Sequence, residues 1–137
     1  MQVTKSYLNS LTYKIVGAAI EVHKALGPGL LESVYHRCLE EELRLEEVKF
    51  ISELKVPLTY KGLHLETEFR CDLFIENQIV VELKAVEAMH PLFEAQLLTY
   101  MNLLNAPKGI LINFNCQNIF NDGQKTFVNE IFRALPE

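Results

Sequence analysis

The sequence lacks most of the signals that assign a chain quickly. No run approaches the roughly 20 apolar residues that a membrane span needs, and Met1 to Ser10 is too polar for a signal peptide. Cysteines are few: Cys38, Cys71 and Cys116, odd in number, widely spaced and without a CxxC pair. That excludes the usual zinc patterns and points to free thiols in a reducing, cytoplasmic setting. There is no His-x-x-x-His pair, and no serine stands in a nucleophile elbow. Gly27-Pro28-Gly29 is followed by no Lys-Ser/Thr and preceded by no strand, so it is not a phosphate loop. Positive charge is also short, with 13 Lys and Arg against 18 Asp and Glu and a net charge of −5. A protein that coats nucleic acid by charge alone is usually basic. An enzyme whose metal meets the phosphate locally is not excluded. No repeat, low-complexity stretch or linker divides the 137 residues, which suit one domain, 1–137.

What the chain does have is Glu82-Leu83-Lys84 inside an otherwise apolar run, Ile79 to Val86. The run reads as a central strand, where charge is normally excluded. The preceding run, Leu65 to Glu76, alternates in the manner of a strand. Leu65, Thr67, Phe69, Cys71, Leu73 and Ile75 take one face, and Glu66, Glu68, Arg70, Asp72, Phe74 and Glu76 the other. With Glu76-Asn77-Gln78 as the turn, matching apolar faces pairs Ile75 with Ile79, Leu73 with Val81 and Cys71 with Leu83. That register sets Asp72 opposite Glu82, and a slip of one residue would place apolar side chains against charged ones. Opposed carboxylates on a partly buried face repel unless they share a proton or a cation. Lys84 can supply part of that charge. A hard divalent ion supplies more, because Mg²⁺ favours a few carboxylates together with water and phosphate oxygens.

Around this hairpin the periodicity predicts helices over Leu11–Leu26 and about Leu30–Glu47, the first ended by Gly27-Pro28-Gly29. An edge strand carrying Pro57 follows over Lys49–Tyr60. Pro91–Asn105 reads as a helix and Lys108–Phe114 as a short buried strand. In the tail, Asn121-Asp122-Gly123 reads as a turn, and Phe127–Leu135 fits either a strand end or a short helix. The order helix, helix, three strands, helix, strand describes a mixed central sheet flanked by helices, an α/β sandwich.

Three more residues could serve a site. Glu32 fits two readings: a carboxylate in the first turn of a helix capped by Gly29, or a third acid aimed at the hairpin. Gln96 and Tyr100 lie one turn apart on one helix face. They could be core and edge residues, or Gln96 could orient Lys84 or a phosphate while Tyr100 touches a nucleic-acid backbone. His36 stands one turn after Glu32, and His23, near the end of the first helix, reads as a cation favoured by the helix dipole.

Taken together these residues resemble the PD-(D/E)XK nuclease superfamily and, within it, the small GxxExxY family. The naming motif stands as Gly29-Leu30-Leu31-Glu32-Ser33-Val34-Tyr35, after Val22-His23-Lys24-Ala25-Leu26-Gly27-Pro28. Asp72 in Arg70-Cys71-Asp72 matches the superfamily's first acid, with Cys71 where its name has proline. Glu82-Leu83-Lys84 matches (D/E)XK, and Gln96-Leu97-Leu98-Thr99-Tyr100 is similar to the QxxxY motif of the RecB-like branch. The resemblance covers about residues 10–130, and the order and spacing of the motifs together make it specific.

It implies a restriction-endonuclease-like α-β-β-β-α-β core with an extra N-terminal helix, and metal-dependent hydrolysis of phosphodiester bonds in nucleic acid, DNA ahead of RNA. Glu32, Asp72, Glu82 and the Leu83 carbonyl would hold Mg²⁺ or Mn²⁺. Lys84 would act on water or the phosphate, with Gln96 and Tyr100 assisting at the substrate. The other reading is a non-catalytic module of the same fold that binds nucleic acid or protein, with a protein partner or a second copy completing it.

Overall fold

The computed structural model describes residues 2–65 and 69–137. Helix α1 spans Lys5–Leu26 and so begins earlier than its periodicity suggests. Thr4 caps it, its hydroxyl accepting from the Tyr7 N–H at 3.0 Å. The buried stripe of α1 includes Leu8, Leu11, Ile15, Ala18, Ala19 and Val22. Helix α2 spans Glu32–Leu45 and buries Tyr35, Leu39 and Leu43. Its N-cap is Leu31 and not the expected Gly29. Gly29 has φ +98°, a left-handed backbone that belongs to the loop before the helix. Glu32 is therefore the first helical residue, not the third.

Five strands form the main sheet in the order β1-β4-β5-β6-β7. They are β1 (Phe50–Lys55), β4 (Arg70–Ile75), β5 (Ile79–Lys84), β6 (Lys108–Asn113) and β7 (Gln124–Val128). Only the β5–β6 pair is parallel. Helix α3, Pro91–Leu104, forms the crossover between those two, as a parallel connection requires. The mixed α/β sheet expected from the sequence is present.

The predicted strand over Lys49–Tyr60 is two strands. β1 stops at Lys55, and β2 (Leu58–Tyr60) starts after Pro57 and pairs with β3 (Leu63–Leu65) in a separate ribbon. The long strand expected over Leu65–Glu76 is likewise β3 and β4, and Glu66, Thr67 and Glu68 lie outside the described residues. Asn121-Asp122-Gly123 sits in a π-helical turn, Ile119–Gly123. Both readings of the tail hold in part, since β7 ends at Val128 and a short α4 covers Glu130–Arg133.

Each face of the sheet carries its own core. Leu73, Ile75, Ile79, Val81, Leu83, Ile110 and Ile112 pack with α1 and α2. Phe74, Val80 and Leu111 pack with Leu97, Tyr100 and Met101 of α3. The approach of α3 is closest at Gly109, where a Cβ would stand 2.6 Å from the Met101 sulfur.

The hairpin β4–β5 closes through Glu76 and Asn77, both at positive φ (50° and 57°), and the Gln78 N–H donates to the Ile75 carbonyl at 2.8 Å. Its register matches the sequence reading at Ile75↔Ile79 and Leu73↔Val81. The expected pairing of Cys71 with Leu83 does not form. Cys71 packs on the α3 side and Leu83 on the α1–α2 side. The cause lies opposite Asp72 on the neighbouring strand, where Glu53 has φ +52° and the regular β1–β4 pairing skips the Glu53–Asp72 position. This break shifts the alternation of both strands by one residue.

Candidate active site

The phase break leaves Asp72 facing neither core. Beyond Leu73↔Val81 the regular β4–β5 ladder ends, and two carboxylates take over its hydrogen bonds. The Asp72 N–H donates to Glu82 Oε2 at 2.7 Å, and the Leu83 N–H donates to Asp72 Oδ2 at 2.7 Å. Each acid thus binds the backbone of the opposite strand with one oxygen, and among the described residues the other, Oδ1 of Asp72 and Oε1 of Glu82, makes no hydrogen bond. The acids meet as the register predicts, but through side chain to backbone bonds and not as a flat ladder pair. Bonds from backbone N–H groups to carboxylates are among the stronger ones, and they hold the two acids together.

The electrostatics record the cost. Glu82 is 4% exposed. Burial, followed by the Asp72 charge, pushes its carboxyl up to about 8, against the pull of the Asp72 N–H and Lys84. Burial also raises Asp72, while the Leu83 N–H, His36 and Lys84 draw it down. Glu32 is raised by partial burial and then by Asp72, with Lys84 and His36 opposing. Lys84 follows on β5, half-buried, its Nζ 4.5 Å from the ring centroid of Phe93 in the first turn of α3.

Glu32, Asp72, Glu82 and Lys84 therefore lie within one another's electrostatic field at one end of the sheet. They do not form a closed cage: among the described residues no three His, Cys, Asp or Glu side chains stand together as a metal site. The donor set is the second carboxylate oxygen of Asp72 and of Glu82, with a third acid at the exposed start of α2. Such hard oxygen donors fit Mg²⁺ or Mn²⁺, which bind through one or two carboxylates and complete their shell with water and phosphate.

Gln96 is half-buried on α3, and its side chain makes no hydrogen bond among the described residues. Tyr100 is 3% exposed and packs with Cys71, Phe74 and Val80. Its hydroxyl is raised by burial and then by the Glu82 charge. It stands behind the acids, not on the open surface where a backbone contact was expected.

Some supporting contacts are not legible in the sequence. His36 Nε2 lies 2.9 Å from Ser52 Oγ and 3.0 Å from Glu40 Oε2, and Ser52 also donates to Glu40. This knot ties α2 to β1 beside Asp72, and its only signal in the sequence is the four-residue spacing of His36 and Glu40. The Asn113 side chain accepts from the Val86 N–H at 3.1 Å and donates to the Val86 carbonyl at 3.0 Å, carrying the β5–β6 pairing past Lys84. Tyr35 donates to the Gly27 carbonyl at 2.6 Å, accepts from the Leu30 N–H at 3.1 Å and stacks on Phe114 with centroids 4.5 Å apart. It clamps the loop that delivers Glu32.

An acid on each of two neighbouring strands, with a lysine two residues on, stands at one end of a mixed α/β sheet. The family model of the PD-(D/E)XK nuclease superfamily matches residues 9–126, and the chain belongs to that superfamily. The match contains every site residue named above. Among solved structures, the crystal structure of SSO0001 is similar in fold, with a TM-score of 0.53 and 24% identity over 74% of this chain. The chain spans 55% of that protein's length. No curated protein matches it. Among the described residues no helix is long and apolar enough to cross a membrane.

Proposed function

We propose that the chain is a nuclease that hydrolyses phosphodiester bonds, in DNA ahead of RNA, with Mg²⁺ or Mn²⁺. The observation that carries this reading is the open end of the β4–β5 hairpin. Asp72 and Glu82 are held side by side by opposite-strand amides, each with one oxygen left over. The Leu83 N–H points toward β4, so its carbonyl points into the same gap and adds a third oxygen. Glu32 closes the set from α2, directly or through water. When bound, the metal polarises the scissile phosphate and lowers the pKa of a water.

Lys84, held over Phe93, directs its ammonium at that water or at charge developing on phosphorus. Gln96 orients Lys84 or a phosphate oxygen. Tyr100 is buried among Cys71, Phe74 and Val80 and supports the α3 side of the site by packing. The GxxExxY assignment within the superfamily, and a reducing cytoplasmic setting for Cys38, Cys71 and Cys116, belong to the same reading, as does residues 1–137 forming one domain.

The test is cleavage of linear and circular DNA, single-stranded DNA and RNA with Mg²⁺, Mn²⁺ or EDTA, beside Lys84→Ala. Metal-dependent cleavage that disappears in a folded Lys84→Ala protein is the expected result. Metal binding by calorimetry without cleavage of any substrate would favour the non-catalytic binding module. Neither cleavage nor metal binding would leave Asp72 and Glu82 as a structural cluster.

A further inference from the structure

The β2–β3 ribbon leaves the sheet at the same end as the acids. β1 runs toward that end and stops at Lys55. β4 starts there with Arg70, two residues before Asp72, and β5 and β6 end there at Lys84 and Asn113. The ribbon is the connection between Lys55 and Arg70. Its root is anchored: Val56 is fully buried, and its N–H donates to the Phe69 carbonyl at 2.8 Å.

Its tip is the opposite. Lys61 and Gly62 turn the chain at φ 47° and 86°, the two-residue geometry that suits a twisted hairpin. The flanking pair, Tyr60↔Leu63, is 61% and 58% exposed. Lys61 Nζ stands 5.3 Å from the Tyr60 ring centroid. Core packing explains none of these three side chains.

Charge points to the occupant. In a chain of net charge −5, the connection from Lys55 to Arg70 contains two lysines, an arginine and a histidine against two acids, Glu66 and Glu68, and so stays net positive. At the root, Lys55 pairs directly with Arg70 across the β1–β4 ladder, both exposed. Like charges directly opposed destabilise a sheet, and an anion between them would relieve that. Lysines beside an exposed aromatic ring form the combination that binds unpaired nucleic acid, phosphate to cation and base to ring. Tyr60 lies five positions along the chain from Lys55, a reach of at most roughly 18 Å.

We infer that the β2–β3 ribbon is a strand-guiding arm. It stacks an unpaired base of the substrate on Tyr60 and leads its phosphates past Lys61, Lys55 and Arg70 to the acids. The inference rests on the nuclease reading for its substrate, but its test does not depend on cleavage.

Fluorescence anisotropy in EDTA would follow a short labelled single-stranded DNA, its duplex and the matching RNA on the full chain. Tyr60→Ala should weaken single-strand binding roughly tenfold and duplex binding less. Tyr60→Phe should keep it, and Lys61→Gln should reduce the salt dependence of binding by about one counterion. Unchanged affinity of Tyr60→Ala for all three probes would overturn the arm, as would an equal loss on single strand and duplex. So would a change in sedimentation without a change in binding, which would assign the tip to a second copy of the chain. A wild-type chain that binds none of the probes overturns it too. Binding that behaves as expected, in a protein that cleaves nothing with metal, would keep the arm and reject the nuclease.

Discussion

The two ends of the β4–β5 hairpin contain the same backbone and behave in opposite ways. At the turn, Ile75, Leu73, Ile79 and Val81 pair in register and are fully buried. At the other end, Asp72 and Glu82 replace the strand-to-strand bonds with carboxylates. One end gains stability from apolar burial. The other holds two acids at raised pKa, which disfavours the folded state whenever both are ionised. The proposed chemistry and the stability are thus separated along one pair of strands, a few residues apart.

The separation can be broken from either side. The largest expected effect is on activity: Lys84→Ala should lower the cleavage rate by about 10²–10³-fold, the range seen when one transition-state donor is removed. Its circular dichroism and melting temperature should stay close to wild type. At the closed end, Leu73→Ala should cost about 2–5 kcal/mol of stability in urea unfolding. Its stabilisation by Mg²⁺ should persist at temperatures where the protein is folded.

The acid end sharpens the contrast through pH. The Glu82 carboxyl sits at about 8 when folded, against an ordinary 4.5. Between those values the folded protein holds a proton that the unfolded chain has lost, so stability falls as pH rises. The melting temperature in EDTA should therefore decline from about pH 5 to about pH 8. Glu82→Gln should flatten that decline, and millimolar Mg²⁺ or Mn²⁺ should reverse it in the wild type only. A wild-type melting temperature that ignores both pH and metal would reject the reading of the open end. The smallest effect is expected from Tyr35→Phe, which removes a hydroxyl with two backbone partners. It should cost about 1–2 kcal/mol and weaken metal binding modestly through Glu32.

The sequence carried the hairpin well because alternation and a short turn determine a register, and Asp72, Glu82 and Lys84 followed from it. It could not show the shift of face between Cys71 and Leu73. That shift depends on a positive φ at Glu53, a residue on another strand with no glycine to announce it. Gly29 looked like a cap because a glycine before an acid permits one, whereas the loop uses its left-handed freedom instead. The His36–Ser52–Glu40 knot joins elements that only the tertiary structure brings together. Tyr100 has the spacing of a surface partner for Gln96, but the depth of α3 against the sheet buries it.

Asn113 sets a limit on how the site can respond. Its amide imitates a segment of strand, engaging both the N–H and the carbonyl of Val86 just after Lys84. The strand that carries the lysine is splinted on its β6 side to beyond its last residue. The Lys84 backbone is tied to β6 on one side, while its β4 side lies past the end of the β4–β5 ladder. Any fitting to an incoming strand falls to the side chain, to the start of α2 and to the substrate. The site is an anvil and not a jaw.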